Sequence, residues 1–406
     1  MYLCNYLICL LSLYCMKKIL FTLILVMMYS PIFSRDFTYE YEGQTLTYTV
    51  VDEDQKTCQT KAGERSDYYP YKFHGNNIAG NLKIPVTALD GKTPYTVIAV
   101  GEMGFCDCGT LRSVILPETL IKISDNAFAG CGYLTSVEVH EPLTEIGAYA
   151  FYNCGSLNDF SFPNTLTVIG KNAFEDCIGL TEIILPPNLT QLNNKVFSGC
   201  NSLQSIVFPE NLVSIGEYTF YDCVNLSSPI FPASLLVIDK NAFLNCTRLK
   251  SVTLPESLVE IGYYAFSRCT GLTKVTLPES LEKLGRGAFS YCTRLSLVRY
   301  PASEPVSANS NVFLEIDENA TLYVPQDAID QCKQMDPWAN FKNFRPLYTS
   351  IPDDSKGIHD ASADINDNLP KEIYNLNGVK IDDGVTPAPG IYIIRQGNTV
   401  TKISVK

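Results

Sequence analysis

Cysteine is the residue of this chain best equipped for chemistry, and there are 15 in 406 residues. Nine fall 23 residues apart: Cys108, Cys131, Cys154, Cys177, Cys200, Cys223, Cys246, Cys269 and Cys292. Thiols support nucleophilic attack as thiolates, disulfide exchange, and metal ligation. Nucleophilic attack needs an activating base, and the chain has only three scattered histidines, His74, His140 and His359. Zinc needs four ligands converging on one point, whereas a comb with one member per repeat lays its thiols out in a line. A disulfide needs side chains that face each other with a torsion of roughly 90° about the S–S bond. Comb members occupy equivalent, parallel positions, and nine cannot pair completely. What remains is cysteine as a small buried hydrophobe with a weak S–H donor, a structural ladder. Cys58, Cys106 and Cys332 lie outside the comb and leave room for one bridge among them.

The residues around each cysteine name the element that must hold it. A phenylalanine stands three positions before every comb member, from Phe105 to Phe289, and a leucine three positions after, from Leu111 to Leu295. One clean copy runs from Leu249 to Cys269. In it Val252 and Leu254 alternate with Ser251 and Thr253, the period-two pattern of a short strand with one apolar side. Pro255, with no N–H to donate, ends that strand. Leu258 and Ile261 face inward from a second extended piece. Gly262 suits a backbone position with φ above zero, and Ala265 and Phe266 begin a single helical turn. A 23-residue period lies in the range of leucine-rich repeats. Successive coils then stack as a parallel sheet, and nine of them at about 4.8 Å each make a body about 43 Å long. Pro229 occupies an inward strand position, where it removes a sheet hydrogen bond and predicts a break at that coil.

This pattern resembles the BspA-like leucine-rich repeat proteins of bacterial and protist cell surfaces, over about 97–301. The resemblance implies a β-rich solenoid that contacts proteins, including adhesins for host matrix proteins or other cells. His140 departs from it by standing where proline is expected, with Pro142 two residues later.

The flanks read as an export signal, caps and a tail. Lys17 and Lys18, the apolar run Ile19 to Met28 and small residues up to Ser34 have the layout of a secretory signal peptide over 1–34. Residues 1–15 fit as an over-extended start before Met16; a membrane anchor is the alternative. Residues 36–100 are expected to form an N-terminal β cap, with a hairpin turning at Gly43 and a second turn at Asp90-Gly91 joining the strands 81–85 and 95–100. The repeat array covers 101–301. A C-terminal cap follows over 302–348, with Trp338 and Phe341 sealing the last coil. Residues 349–370 read as a linker. Residues 371–406 have the strands of a small β-sandwich, similar to the C-terminal sorting domain of type IX secretion substrates. That similarity implies export across an outer membrane and attachment outside the cell.

Composition excludes other classes. Net charge is −12 and the pI about 4.8, with no basic block, which argues against nucleic acid as a partner. No nucleophile elbow, zinc-protease motif, P-loop or dinucleotide fingerprint occurs. The chain therefore reads as a non-enzyme without cofactor, metal or small-molecule substrate: a monomer, secreted or attached at the outer surface. A protein ligand such as a host matrix protein is expected; a structural or scaffolding part of the envelope is the alternative. Two outward strips are candidates for contact. Ile184, Val207 and Ile230 fall on the solvent side of three successive strands, and Tyr149, Tyr218 and Tyr264 fall on the turns. β-branched residues also simply suit strands, and the tyrosines also suit packing.

Overall fold

Nine phenylalanines, one per coil, make the spine of the molecule. Rings from Phe105 to Phe289, and then Phe313, stack in order with neighbouring centroids 5.1 to 5.8 Å apart and ring planes within 20° of parallel. Every one of these rings is buried, so the spine unites large apolar area with offset aromatic contact. The computed structural model describes residues 35–61 and 78–347, and the backbone of four strands within 371–405. The chain divides into two units, Met1–Leu347 and Tyr348–Lys406. The signal-peptide, linker and start-site readings fall on residues outside those described.

The comb cysteines line the spine. All nine are buried and unbridged, as are Cys58, Cys106 and Cys332. From Cys131 to Cys292, each Sγ donates to the phenylalanine carbonyl of the preceding coil at 3.1 to 3.2 Å. That same carbonyl also accepts the backbone N–H of the cysteine in its own coil, as in Cys131 to Phe128 at 3.2 Å. Cysteine is thus small enough for the coil corner and still serves the second lone pair of a buried carbonyl, which would be costly to strand.

Two strand ladders run along the coils. The first begins with Gly80–Lys83, Leu111–Ile115 and Ser136–Glu138, resumes at Glu182–Ile184 and Ser205–Val207, and resumes again from Ser251–Thr253 to Asn343–Leu347. All of these pairings are parallel, and all are in register apart from a one-residue shift between Gly80 and Asn81 in the first pairing. Its second interruption is the coil of Pro229, where a lone bridge, Val207 to Ile230, replaces the rung. Its first interruption has no proline and was not legible in the repeat pattern. There Phe160 and Phe162 occupy both inward positions, their centroids 4.9 Å apart, and both rings pack edge-on against Phe174. Two rings need more width than the valine and leucine of other coils, and the strand pairing yields to a single bridge from Ser136 to Asp159.

The second ladder pairs the two-residue strands that carry the inward Ile261-type position. Gly262 follows it, but its backbone is not left-handed: the positive-φ glycines are Gly43, Gly80, Gly91, Gly130, Gly199 and Gly287. Close approach of coils is the reason for glycine instead. A Cβ at Gly262 would sit 2.4 Å from the backbone nitrogen of Lys240, and the Gly262 N–H donates to Ile238 at 2.8 Å. Gly262→Ala is therefore expected to lower stability by about 1–3 kcal/mol through forced separation of two coils. Urea unfolding measures this, and an unchanged midpoint would exclude the close-approach explanation. Where Asn193 takes the glycine place, its side-chain amide donates to Ile169 at 2.7 Å, and the ladder is interrupted there.

The left-handed residues lie in the turns. Each coil has two, two residues before the phenylalanine and one before the cysteine, for example Tyr264 (φ 56°) and Arg268 (φ 59°). They bracket Ala265 and Phe266, so the expected helical turn closes after i→i−3 bonds such as Ser267 to Tyr264 at 3.0 Å. Between these bonds, Phe266 N–H reaches across to Ala288 of the next coil at 2.8 Å.

At the N-terminal end, Asp36–Tyr41 and Gln44–Asp52 form a hairpin turning at Glu42 and Gly43. It continues through Thr57–Thr60 and Thr93–Val100 into the second ladder. The turn after Asp90 joins Thr87–Asp90 to Thr93–Val100, whereas Gly80–Lys83 is the first rung of the other ladder, a correction to the expected pairing of 81–85 with 95–100. At the other end Trp338 is buried, stacked 4.8 Å from Tyr300, with its indole N–H donating to Val306 at 2.8 Å. In the second unit, Lys371–Asn375, Lys380–Ile381, Gly390–Gln396 and Thr399–Val405 pair as one antiparallel four-stranded sheet.

Candidate interaction face

Strand alternation sends Ile183, Ile206 and Pro229 inward and their neighbours to solvent, so the outer side of the first ladder is a flat face read one coil at a time. Ile184 pairs with Val207, and Val207 bridges to Ile230. These three side chains are 65%, 45% and 54% exposed. Roughly half of the about 1.5–3 kcal/mol that full burial of a branched aliphatic yields is therefore still available at each.

Apart from Arg112, exposed in the first coil of the array, charge on this face is sorted along the solenoid. Glu138, Asp159 and Glu182 are exposed on coils at or before the apolar strip. Lys250, Lys274 and Arg299 are exposed on coils after it. Elsewhere charges pair from coil to coil, as Lys122 with Glu145 at 2.8 Å and Lys283 with Glu260 at 2.9 Å. On the strand face, Asp159, Glu182, Lys250, Lys274 and Arg299 form no ion pair among the described residues, and Glu138 has only His140, at 3.5 Å. The sequence shows these residues in the outward columns, except Lys250, which precedes its strand, but their segregation emerges only when the coils are stacked in order.

The tyrosines are not brought together. Tyr149, Tyr218 and Tyr264 hold the same left-handed position of coils that lie three and two repeats apart, with Asn172, Lys195 and Asn241 in between. Each is half-buried and locally engaged. Tyr149 and Tyr218 meet Tyr152 and Tyr221 edge-on, and Lys171 and Lys195 lie 6.0 and 5.7 Å from their ring centres. The Tyr264 ring covers Gly287, where a Cβ would come within 2.4 Å of it. These are packing roles.

Reactive chemistry has little footing here. Burial pushes Cys58 and Cys106 up to about 12, and Cys108 and Cys332 to about 11. Cys131, Cys154, Cys177, Cys200, Cys223, Cys246 and Cys269 are all raised well above an ordinary thiol, first of all by desolvation. Thiols held neutral are poor nucleophiles and poor ligands. No group of three or more His, Cys, Asp or Glu is placed to hold a metal ion among the described residues. Nor does any helix among them have the length and apolar character to cross a membrane.

Comparison with solved structures finds similar bacterial leucine-rich repeat chains. A leucine rich cell surface protein from Faecalibacterium prausnitzii is 20% identical, covering 77% of this chain and 95% of its own, with a TM-score of 0.42. A leucine-rich repeat protein from Bacteroides ovatus is 21% identical, covering 76% and 100%, with a TM-score of 0.44. The pneumococcal vaccine antigen PcpA is 17% identical, covering 78% and 99%, with a TM-score of 0.38. No curated protein matches the chain. Among protein families, the BspA type leucine rich repeat region matches in six copies, over residues 91–204, 167–296 and 213–329. These spans cover more than half of the sequence and coincide with the Phe–Cys coils, so the chain belongs to the BspA-type leucine-rich repeat family.

Proposed function

We propose that this protein is exported, held at the outer surface of its cell, and uses the strand face of the array for adhesion, to host matrix proteins or to other cells. Members of its family are interaction scaffolds typically found at cell surfaces, and a solenoid offers an extended rigid surface for that purpose. The observation that carries the reading is the exposed Ile184–Val207–Ile230 strip set between acidic and basic residues that, apart from Glu138 with His140, form no ion pair among the described residues. Export is supported by the basic and apolar pattern of 1–34, and attachment by the resemblance of 371–406 to a sorting domain.

Cells displaying the protein are expected to bind an immobilised extracellular matrix protein or neighbouring cells. Val207→Glu should weaken that adhesion about tenfold, as for a central interface residue replaced by a charge. Tyr264→Phe, distant from the face, should leave it unchanged. Equal adhesion by the Val207→Glu cells would end the assignment of this face. Surface exposure without any adhesion would favour a structural component of the envelope instead.

A further inference from the structure

We propose that the strand face is self-complementary and joins two copies of this chain in an antiparallel, face-to-face dimer. The inference rests on the reading of this face as a contact surface and names one partner for it. The charge order is the ground. Glu138, Asp159 and Glu182 lie on one side of the Val207 coil, with Arg112 beyond them in the first coil of the array, and Lys250, Lys274 and Arg299 lie on the other side, all exposed. Glu138 belongs to the coil three repeats before Ser205–Val207, and Lys274 to the coil three repeats after it. A two-fold axis lying in the plane of contact, along the strand Ser205–Val207, therefore sets the Glu138 coil of one copy opposite the Lys274 coil of the other, and the Asp159 coil opposite the Lys250 coil. The Glu138 and Lys274 side chains then stand on a diagonal two strand positions apart. The same axis stacks the two apolar strips on each other at the centre, the self-complementary layout an isologous contact requires. An axis running along the solenoid would instead set acid against acid and base against base.

Size decides the strength. A face about 43 Å long and three strand residues wide, about 10 Å, covers roughly 430 Å² per copy. The total of about 900 Å² is at the low end of specific interfaces, so the dimer is weak and concentration-dependent. The monomer expected from the sequence is then the form at low concentration. Exposed ion pairs are screened by salt, so raising ionic strength should shift the equilibrium back towards monomer.

Sedimentation equilibrium of the full chain, from low to high micromolar concentration, tests this. A monomer–dimer equilibrium is expected that weakens in high salt and is abolished by Val207→Glu. Glu138→Lys and Lys274→Glu should each weaken it about fivefold, because the two-fold axis makes each pair twice. Combining the two substitutions restores complementarity and should recover the wild-type constant. Circular dichroism confirms that each variant is folded. A monomer at every concentration overturns the proposal, as does self-association indifferent to Val207→Glu or charge reversals that fail to compensate. If adhesion is still lost in Val207→Glu cells while the chain is monomeric, the contact face stands and its partner is another molecule.

Discussion

Between pH 8 and pH 9.5 the array is expected to lose most of its stability, and its buried thiols are the cause. Eight of the comb cysteines, Cys108 to Cys269, have pKa values raised in the folded state, chiefly by desolvation. Below about pH 7 these thiols are protonated both folded and unfolded, and pH has no purchase on them. Above an ordinary thiol pKa the unfolded chain releases protons that the folded chain keeps, so the unfolded state binds fewer protons and stability falls as pH rises. Each such thiol takes about 1.4 kcal/mol per pH unit once its unfolded form is fully ionised. Eight of them together remove on the order of 5–10 kcal/mol by pH 9.5, against a total stability of about 5–15 kcal/mol for a typical domain. Urea midpoints measured across this range under reducing conditions should fall steeply. A double variant, Cys200→Ala with Cys223→Ala, should show a shallower fall from its own lower starting point. A midpoint that stays level through pH 9.5 would mean that the thiols are not held neutral in the folded state.

The comb was legible because every turn of the solenoid repeats the same local problem. Strand, proline stop, corner and phenylalanine recur at a fixed period, so residue type alone places Val252, Leu258 and Phe266 inside. Even the break at Pro229 follows from the chemistry of one residue. What escaped the sequence are relations between coils. Gly262 is a glycine because the Lys240 backbone lies against it, a neighbour 22 positions earlier that no local pattern displays. The interruption at Phe160 and Phe162 arises from the summed width of two rings packed on Phe174. Left-handed Tyr264 looked like a surface residue in a helical turn, although its ring roofs the glycine of the next coil.

The candidate face divides in the same way. Period-two alternation was enough to put Ile184, Val207 and Ile230 side by side, since one rung per repeat makes the stacking order the sequence order. The tyrosines share a column too, yet the coils between them carry other residues, and a shared column is not a shared patch. Charge segregation along the face is a property of the whole stack. It becomes visible only when strand pairing shows which exposed acids and bases stand on the same side.

The relation between coils also sets the largest single-residue effect expected. Phe174 touches four other rings: Phe151 and Phe197 in the spine at 5.1 and 5.7 Å, and Phe160 and Phe162 at 5.0 and 5.5 Å. Phe174→Ala removes all four contacts at the coil where the strand ladder is already reduced to a bridge, so little remains there to resist opening. A buried phenylalanine cut to alanine costs about 3–5 kcal/mol, and this site should lie at the upper end. Phe105, at the start of the spine, has only Phe128 as a ring neighbour among the described residues, at 5.3 Å. Stability in a solenoid is approximately a sum of repeat and nearest-neighbour terms, so Phe105→Ala should cost less by at least about 1 kcal/mol. Phe174→Leu, which keeps most of the volume, should cost less than half as much as alanine. Denaturant unfolding of the three variants gives the ranking directly. Equal losses at Phe174 and Phe105 would show that the rings act one by one, with no stabilisation passing between coils through the spine.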